Sequence, residues 1–314
     1  MKKLAVISMM LTFFSNAFAQ NISREEANNL MSDLRKSKQD TSRISLLLKI
    51  AKFHIFKLGE AKADLDSGLV LINQAEQLNK ILHSVVSEGN ILLHKAYYLK
   101  ENGQRDNAKI FAEKAVTVLK NESNRYLLGE AYFELSEYYP FETELEKKIS
   151  LVQRAIVCFE QSGPIVRKAY CYKVLGNLFY QMDKKENIQK ALAALDSSLK
   201  FYKAINYVEL QGVYILYASI YAHESDYRQA LHYALLAVQA TEQTKDTSLQ
   251  LCQINYITGV IFVHLHEHEK AFPYLFAFLG VAEKNHDINS IYLLQYAICV
   301  AYLEINKAID AKKS

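Results

Sequence analysis

The side chains most able to ligate a metal or move a proton are gathered in one short run, His264-Leu-His266-Glu-His268-Glu269. Neutral imidazoles beside carboxylates can hold zinc or copper. His264 and His268 are four residues apart and share a face wherever one helix runs through both. The run falls, however, where an apolar helical stretch gives way to polar residues. It therefore reads as a solvated turn, and no metal and no cofactor is assigned. The cysteines Cys158, Cys171, Cys252 and Cys299 form no CxxC, CxxCH or paired zinc spacing. Cys252 and Cys299 read as small core residues. Cys158 and Cys171 lie on either side of Gly163-Pro164, which leaves a bridge across two helices open. The chain has no Walker loop, no GxGxxG, no GxSxG and no HExxH. Charged groups such as Glu144, Glu146, Lys147 and Lys148 recur at helical spacing, and their ordinary place is a solvated face. With no convergent acid, base or nucleophile, no catalytic residue is assigned and the chain reads as non-enzymatic.

The elements that must position these groups are helices. Of 314 residues, 50% are apolar, ample for a buried core. Ten glycines and three prolines are too few for the turns of a many-stranded β fold. A formal charge of +3 is too small to advertise a nucleic-acid surface. Lys2 and Lys3, the apolar run Leu4 to Phe14 and Ala17-Phe18-Ala19 have the order of a secretory signal. The expectation is a signal peptide over 1–19, cleaved after Ala19, a lead-in over 20–40, and a periplasmic or secreted product. Removal of the two lysines lowers the formal charge from +3 to +1. The most apolar later stretch, Ile291 to Ile305, contains Gln295 and Glu304 and is short for a membrane span. It fits a core helix, and no stable membrane insertion is expected.

From Thr41 onward a repeat is visible. Gly129-Glu-Ala-Tyr132, Gly176-Asn-Leu-Phe179, Ala218-Ser-Ile-Tyr221 and Gly259-Val-Ile-Phe262 each place an aromatic three residues after a small residue. An alanine follows twelve residues later in Ala96…Ala108, Ala218…Ala230 and Gly259…Ala271. Small residues let two antiparallel helices approach closely, and the aromatic fills the space beside the contact. One such pair cannot bury its apolar face alone, so pairs must stack on their neighbours. The small position recurs at irregular intervals of 33, 47, 42 and 41 residues. First helices are expected near Ser42, His83, Ser123, Val166, Val208, Ser248 and Asn289, and second helices near Lys62, Gln104, Thr143, Glu186, Asp226, Glu267 and Asn306.

These residues, with Leu175, Asp226, Tyr227 and Ala237, resemble the tetratricopeptide repeat family, although the signature Trp and the closing Pro are missing. The resemblance implies an all-α, right-handed superhelical solenoid of antiparallel helix pairs over 41–314, about seven units with the last incomplete. It also implies a concave groove lined by first helices. Carried over position by position, the groove residues are Asn90, Tyr97, Tyr126, Glu130, Tyr170, Lys173, Asn177, Tyr180, Gln253, Tyr256 and His264. Lys173 and Asn177 match two positions of the family's carboxylate clamp, but Leu216 stands where a third polar group belongs. The function implied is an exported scaffold that binds a peptide or protein, with no nucleic-acid partner. The opening Asp40-Thr-Ser-Arg-Ile-Ser-Leu-Leu-Leu-Lys-Ile-Ala51 also resembles the exported repeat regions of Bacteroidetes-type sensor histidine kinases and regulators. That resemblance implies the alternative of a detached or truncated sensory ectodomain in signal transduction.

Overall fold

The computed structural model describes residues 24–57, 61–182, 184–244 and 249–313. The expected signal peptide and its cleavage point lie outside the described residues. Every regular element described is a helix: α1 (Arg24–Lys36), α2 (Thr41–Ile55), α3 (Lys62–Leu82), α4 (Val85–Glu101), α5 (Arg105–Leu119), α6 (Arg125–Ser136), α7 (Phe141–Gln161), α8 (Ile165–Gln181), α9 (Lys185–Ala204), α10 (Gln211–His223), α11 (Tyr227–Thr244), α12 (Leu249–His264), α13 (His268–Lys284) and α14 (Ile288–Lys313). The all-α class and the pairing of helices follow the sequence expectation. The unequal repeat lengths come from the helices themselves: α3 and α7 have 21 residues and α9 has 20, against 15 in α5. The chain divides into two compact units, one reaching Leu178 and the other beginning at Phe179.

In the first unit the helix starts are set by short polar side chains. Asp40 accepts hydrogen bonds from the Ser42 and Arg43 amides, Ser84 from Ser87, and Asn124 from Leu127. Each satisfies an amide that the first turn cannot pair internally. The residues expected to be a plain lead-in contain α1, whose Ala27 is buried. The core runs through Ile44, Leu48, Ile72, Ala75, Leu93 and Leu119. Ala96, Ala108 and Ala112 form the close contact of α4 with α5. Gly129 is also a contact residue, but its neighbours are Phe159 and Cys158 on α7 rather than an alanine.

The second unit has its core on Ala218, Ala230, Ala234, Gly259's neighbour Leu275, and Leu294. Tyr217 and Tyr221 stack on Tyr233 with centroids 4.5 and 5.6 Å away, and Tyr214 lies 6.4 Å from the same ring. In three helix pairs the turn places one residue in the left-handed region. Gly103 fills that place in one pair at φ 76°, Ser225 in another at 65° and His266 in a third at 58°. Asn306 does not open a second helix as expected, because α14 runs unbroken from Ile288 to Lys313. Its Leu294, Ile298 and Ala301 are buried, while Ile288, Tyr292, Tyr296 and Leu303 are exposed. The stretch Ile288–Asn306 is 19 residues of mean hydropathy 1.4, long and apolar enough to cross a membrane, and 22% of it is buried. Cys299 sits on the uncovered side and is exposed, contrary to the core reading, whereas Cys252 is buried as expected. All four cysteines are free thiols.

Candidate functional site

The first helices of the first unit converge on a buried group of charges. Glu130 on α6 is 3% exposed and accepts a 2.6 Å hydrogen bond from Nε of Arg167 on α8, itself 7% exposed. Lys52 reaches Glu130 from α2, 3.8 Å away, so side chains from three first helices meet at one carboxylate. A second pair lies beside it, with Lys100 Nζ on α4 2.9 Å from Glu134 on α6. Tyr138 donates to the same Glu134 at 2.6 Å.

Aromatic rings surround these charges. Lys52 and Lys100 lie 5.5 and 5.8 Å from the Tyr97 centroid. The Arg167 guanidinium lies 5.1 Å from Phe133 and 5.7 Å from Tyr170. Such contacts compensate a desolvated cation through the negative face of the ring.

Burial and charge act against each other here. Burial opposes ionisation of Glu130, but Arg167 and Lys52 outweigh it and hold the carboxyl below its usual range. Burial lowers the Lys52 ammonium, with Arg167 adding to that and Glu130 opposing it. His94, whose Nδ1 is 2.9 Å from the Asn90 carbonyl, is pushed down to about 4 by burial. Burial also pushes the Cys171 thiol up to about 12 and raises the Tyr97 and Tyr170 phenols. His94 and Cys171 are thus moved away from neutrality, where general acid–base work is most effective.

Of the residues expected to line a groove, Tyr97, Glu130 and Tyr170 belong to this buried group, and Tyr126 lies at its edge, 6.0 Å from Phe159. Lys173 is half-buried with its ammonium 4.6 Å from the Tyr170 ring. Asn90 and Asn177 are half-buried, and the side-chain oxygen of each is buried without a hydrogen-bond partner among the described residues. The remaining expected residues lie in the second unit and do not join this group. Tyr180 is buried, with its hydroxyl donating to the Ser219 carbonyl at 3.4 Å. Gln253 and Tyr256 are buried, and half-buried His264 stacks on Tyr227 at 4.5 Å.

Lys52, His94, Lys100, Glu134 and Arg167 escape a reading from sequence. Each looks like one more charge at helical spacing, and only the convergence of first helices separates them from solvated ones.

The histidine run contains the expected turn, with His266 exposed at its tip. The structure adds Glu304 from α14, whose Oε2 is 3.2 Å from His266 Nδ1 and 3.3 Å from His268 Nε2. His268 is 9% exposed.

No protein-family model matches the chain, and no curated protein matches it. Solved structures do. The apo form of RapI is 14% identical over 91% of this chain and 85% of its own, with a TM-score of 0.61. A Rap conjugation gene regulator in complex with the Phr* peptide is 16% identical over 86% of this chain and 77% of its own, TM-score 0.55. A signal transduction ATPase with a tetratricopeptide repeat sensor, from Pyrococcus horikoshii, is 14% identical over 83% of this chain and 41% of its own, TM-score 0.59. The fold is a tetratricopeptide-type helical repeat. At these identities the likeness concerns the fold.

Proposed function

We propose that this protein is an exported, non-enzymatic scaffold that binds a peptide or a protein segment on the inward face of its first helices. The observation that carries this reading is the pair Asn90 and Asn177. Each carries, on a first helix, a buried amide oxygen with no hydrogen-bond partner among the described residues. An unsatisfied buried amide costs about 1–3 kcal/mol. Rotation of either half-buried side chain to meet a peptide N–H would remove that cost, while Tyr126 offers a ring to an apolar side chain. The fold is shared with a Rap protein solved in complex with the Phr* peptide and with one complexed with competence and sporulation factor, which supports a peptide as ligand. The depressed His94 and raised Cys171 and Tyr97 favour a binding role over a chemical one.

The experiment is selection of a random peptide library on the full chain. The expected result is an enriched peptide whose affinity falls at least tenfold with Asn177→Ala or Asn90→Ala, with the helical circular dichroism unchanged. Enrichment that both variants leave intact would refute the assignment of this face. Export is tested separately by sequencing the N-terminus of protein recovered outside the cytoplasm, where Gln20 is expected.

The second reading is a sensory ectodomain. It draws on the tetratricopeptide repeat sensor among the similar structures and on the largely uncovered apolar stretch Ile288–Asn306. Coding sequence beyond Ser314 that continues into a signalling domain would favour it over the free scaffold.

A further inference from the structure

We propose that His266, His268 and Glu304 form a divalent-metal site of the zinc class, which ties α14 to the turn between α12 and α13. The three ligand atoms lie within 4.8 Å of one another. The two distances to Glu304 Oε2, 3.2 and 3.3 Å, are close to a tetrahedral edge. With metal–ligand bonds of about 2.0–2.1 Å, that edge is about 3.3–3.4 Å. The donor set selects the ion. Two imidazoles and one carboxylate suit zinc and its transition-metal neighbours, whereas calcium and magnesium favour all-oxygen shells. Three protein ligands leave a fourth position open, as in zinc sites that accept water or an incoming group.

The ligands are held by independent devices. His266 occupies the left-handed turn position that Gly103 fills in another pair. His268 opens α13 and is nine-tenths buried, with Nε2 aimed at Glu304. Glu304 arrives from α14, 38 residues beyond His266. The ring planes of His266 and His268 stand 80° apart, so their nitrogens approach from different directions. The Nδ1 atom of His268 has no partner among the described residues. The site therefore lacks the outer hydrogen bond that is typically worth about 10–100-fold in metal affinity, and micromolar binding is expected.

The test is zinc titration of the metal-stripped full chain by calorimetry, paired with thermal melts. One equivalent should bind in the micromolar range and raise Tm, while magnesium and calcium leave it unmoved. Glu304→Gln and His268→Asn should each weaken binding at least tenfold, while His83→Asn has no effect. His266→Gly separates a metal site from a structural clasp. Glycine suits the left-handed turn, so this variant should keep the metal-free Tm at or above that of the parent and lose the zinc-dependent rise. It also keeps the test decisive if His268→Asn fails to fold. No zinc binding, or zinc binding that Glu304→Gln and His266→Gly leave unchanged, would overturn the assignment and leave the three side chains as an ion-paired clasp.

Discussion

Glu130 holds a charge where water cannot reach it, and its neighbours decide whether that is tolerable. Arg167 and Lys52 share its compensation. Removing one member of a buried pair costs about 3–5 kcal/mol, because the other charge is left uncompensated. Glu130→Ala is therefore expected to destabilise by that amount in urea unfolding. Glu130→Leu combined with Arg167→Met should recover most of the loss, since Lys52 is 24% exposed and can turn toward solvent. His94 adds a pH dependence of definite sign. Its folded value is about 4 against 6.5 for the free side chain, so between those values the unfolded chain carries the extra proton. Acidification through that window destabilises the fold by an amount on the order of 3 kcal/mol. His94→Phe should flatten stability between pH 6.5 and 4 in the same assay. The Glu130 contribution, with a lowered folded value, is lost at still lower pH. Glu130 and Tyr97 could be picked from sequence because they occupy repeat positions. Arg167 and Lys52 could not, because a helical period says which face a charge occupies and not whether another helix covers that face.

At the scale of the element, the small residues mark places where helices touch. A Cβ on Gly259 would lie 2.6 Å from Leu275 Cδ2 and 2.7 Å from its Cγ. Gly280 lies inside α13, one turn from its end, with nothing within 4 Å of the same atom. The two glycines should therefore answer alanine with opposite signs. Gly259→Ala is expected to cost about 1–3 kcal/mol through overpacking, and Gly280→Ala to stabilise by about 0.5–1 kcal/mol through helix propensity. Thermal melts of the two variants check both signs. Most helix boundaries were legible because Asp40, Asn124, Asp226 and Asp287 combine cap chemistry with a change in periodicity. The boundary expected at Asn306 was not realised. Asn306 could cap a helix, but no Gly or Pro beside it ends the preceding one, so an apolar pattern that reads as two helices continues as one. The helix α1 is not legible in the sequence because it is mostly polar, with Ala27 its one buried apolar side chain.

For the whole molecule, the cores are local in sequence. One buried cluster draws its members from residues 44 to 158 and another from 215 to 301. Helical repeats of this kind are stabilised by neighbouring elements, and their cooperativity can break into stages. Calorimetric unfolding is expected to give an enthalpy larger than the van't Hoff value. Gly259→Ala should shift only the part of the transition belonging to the second unit, which a probe confined to residues 179–314 would report.

The tyrosines of the second unit offer a place to build such a probe. The chain contains 21 tyrosines and no tryptophan, and three of those phenols, Tyr214, Tyr217 and Tyr221, gather on a fourth, Tyr233. Ultraviolet dichroism and emission of the phenols go unmasked by any indole, and this assembly of rings is a dense donor group confined to the second unit. A lone Trp introduced nearby would collect their excitation, turning spatial separation into colour.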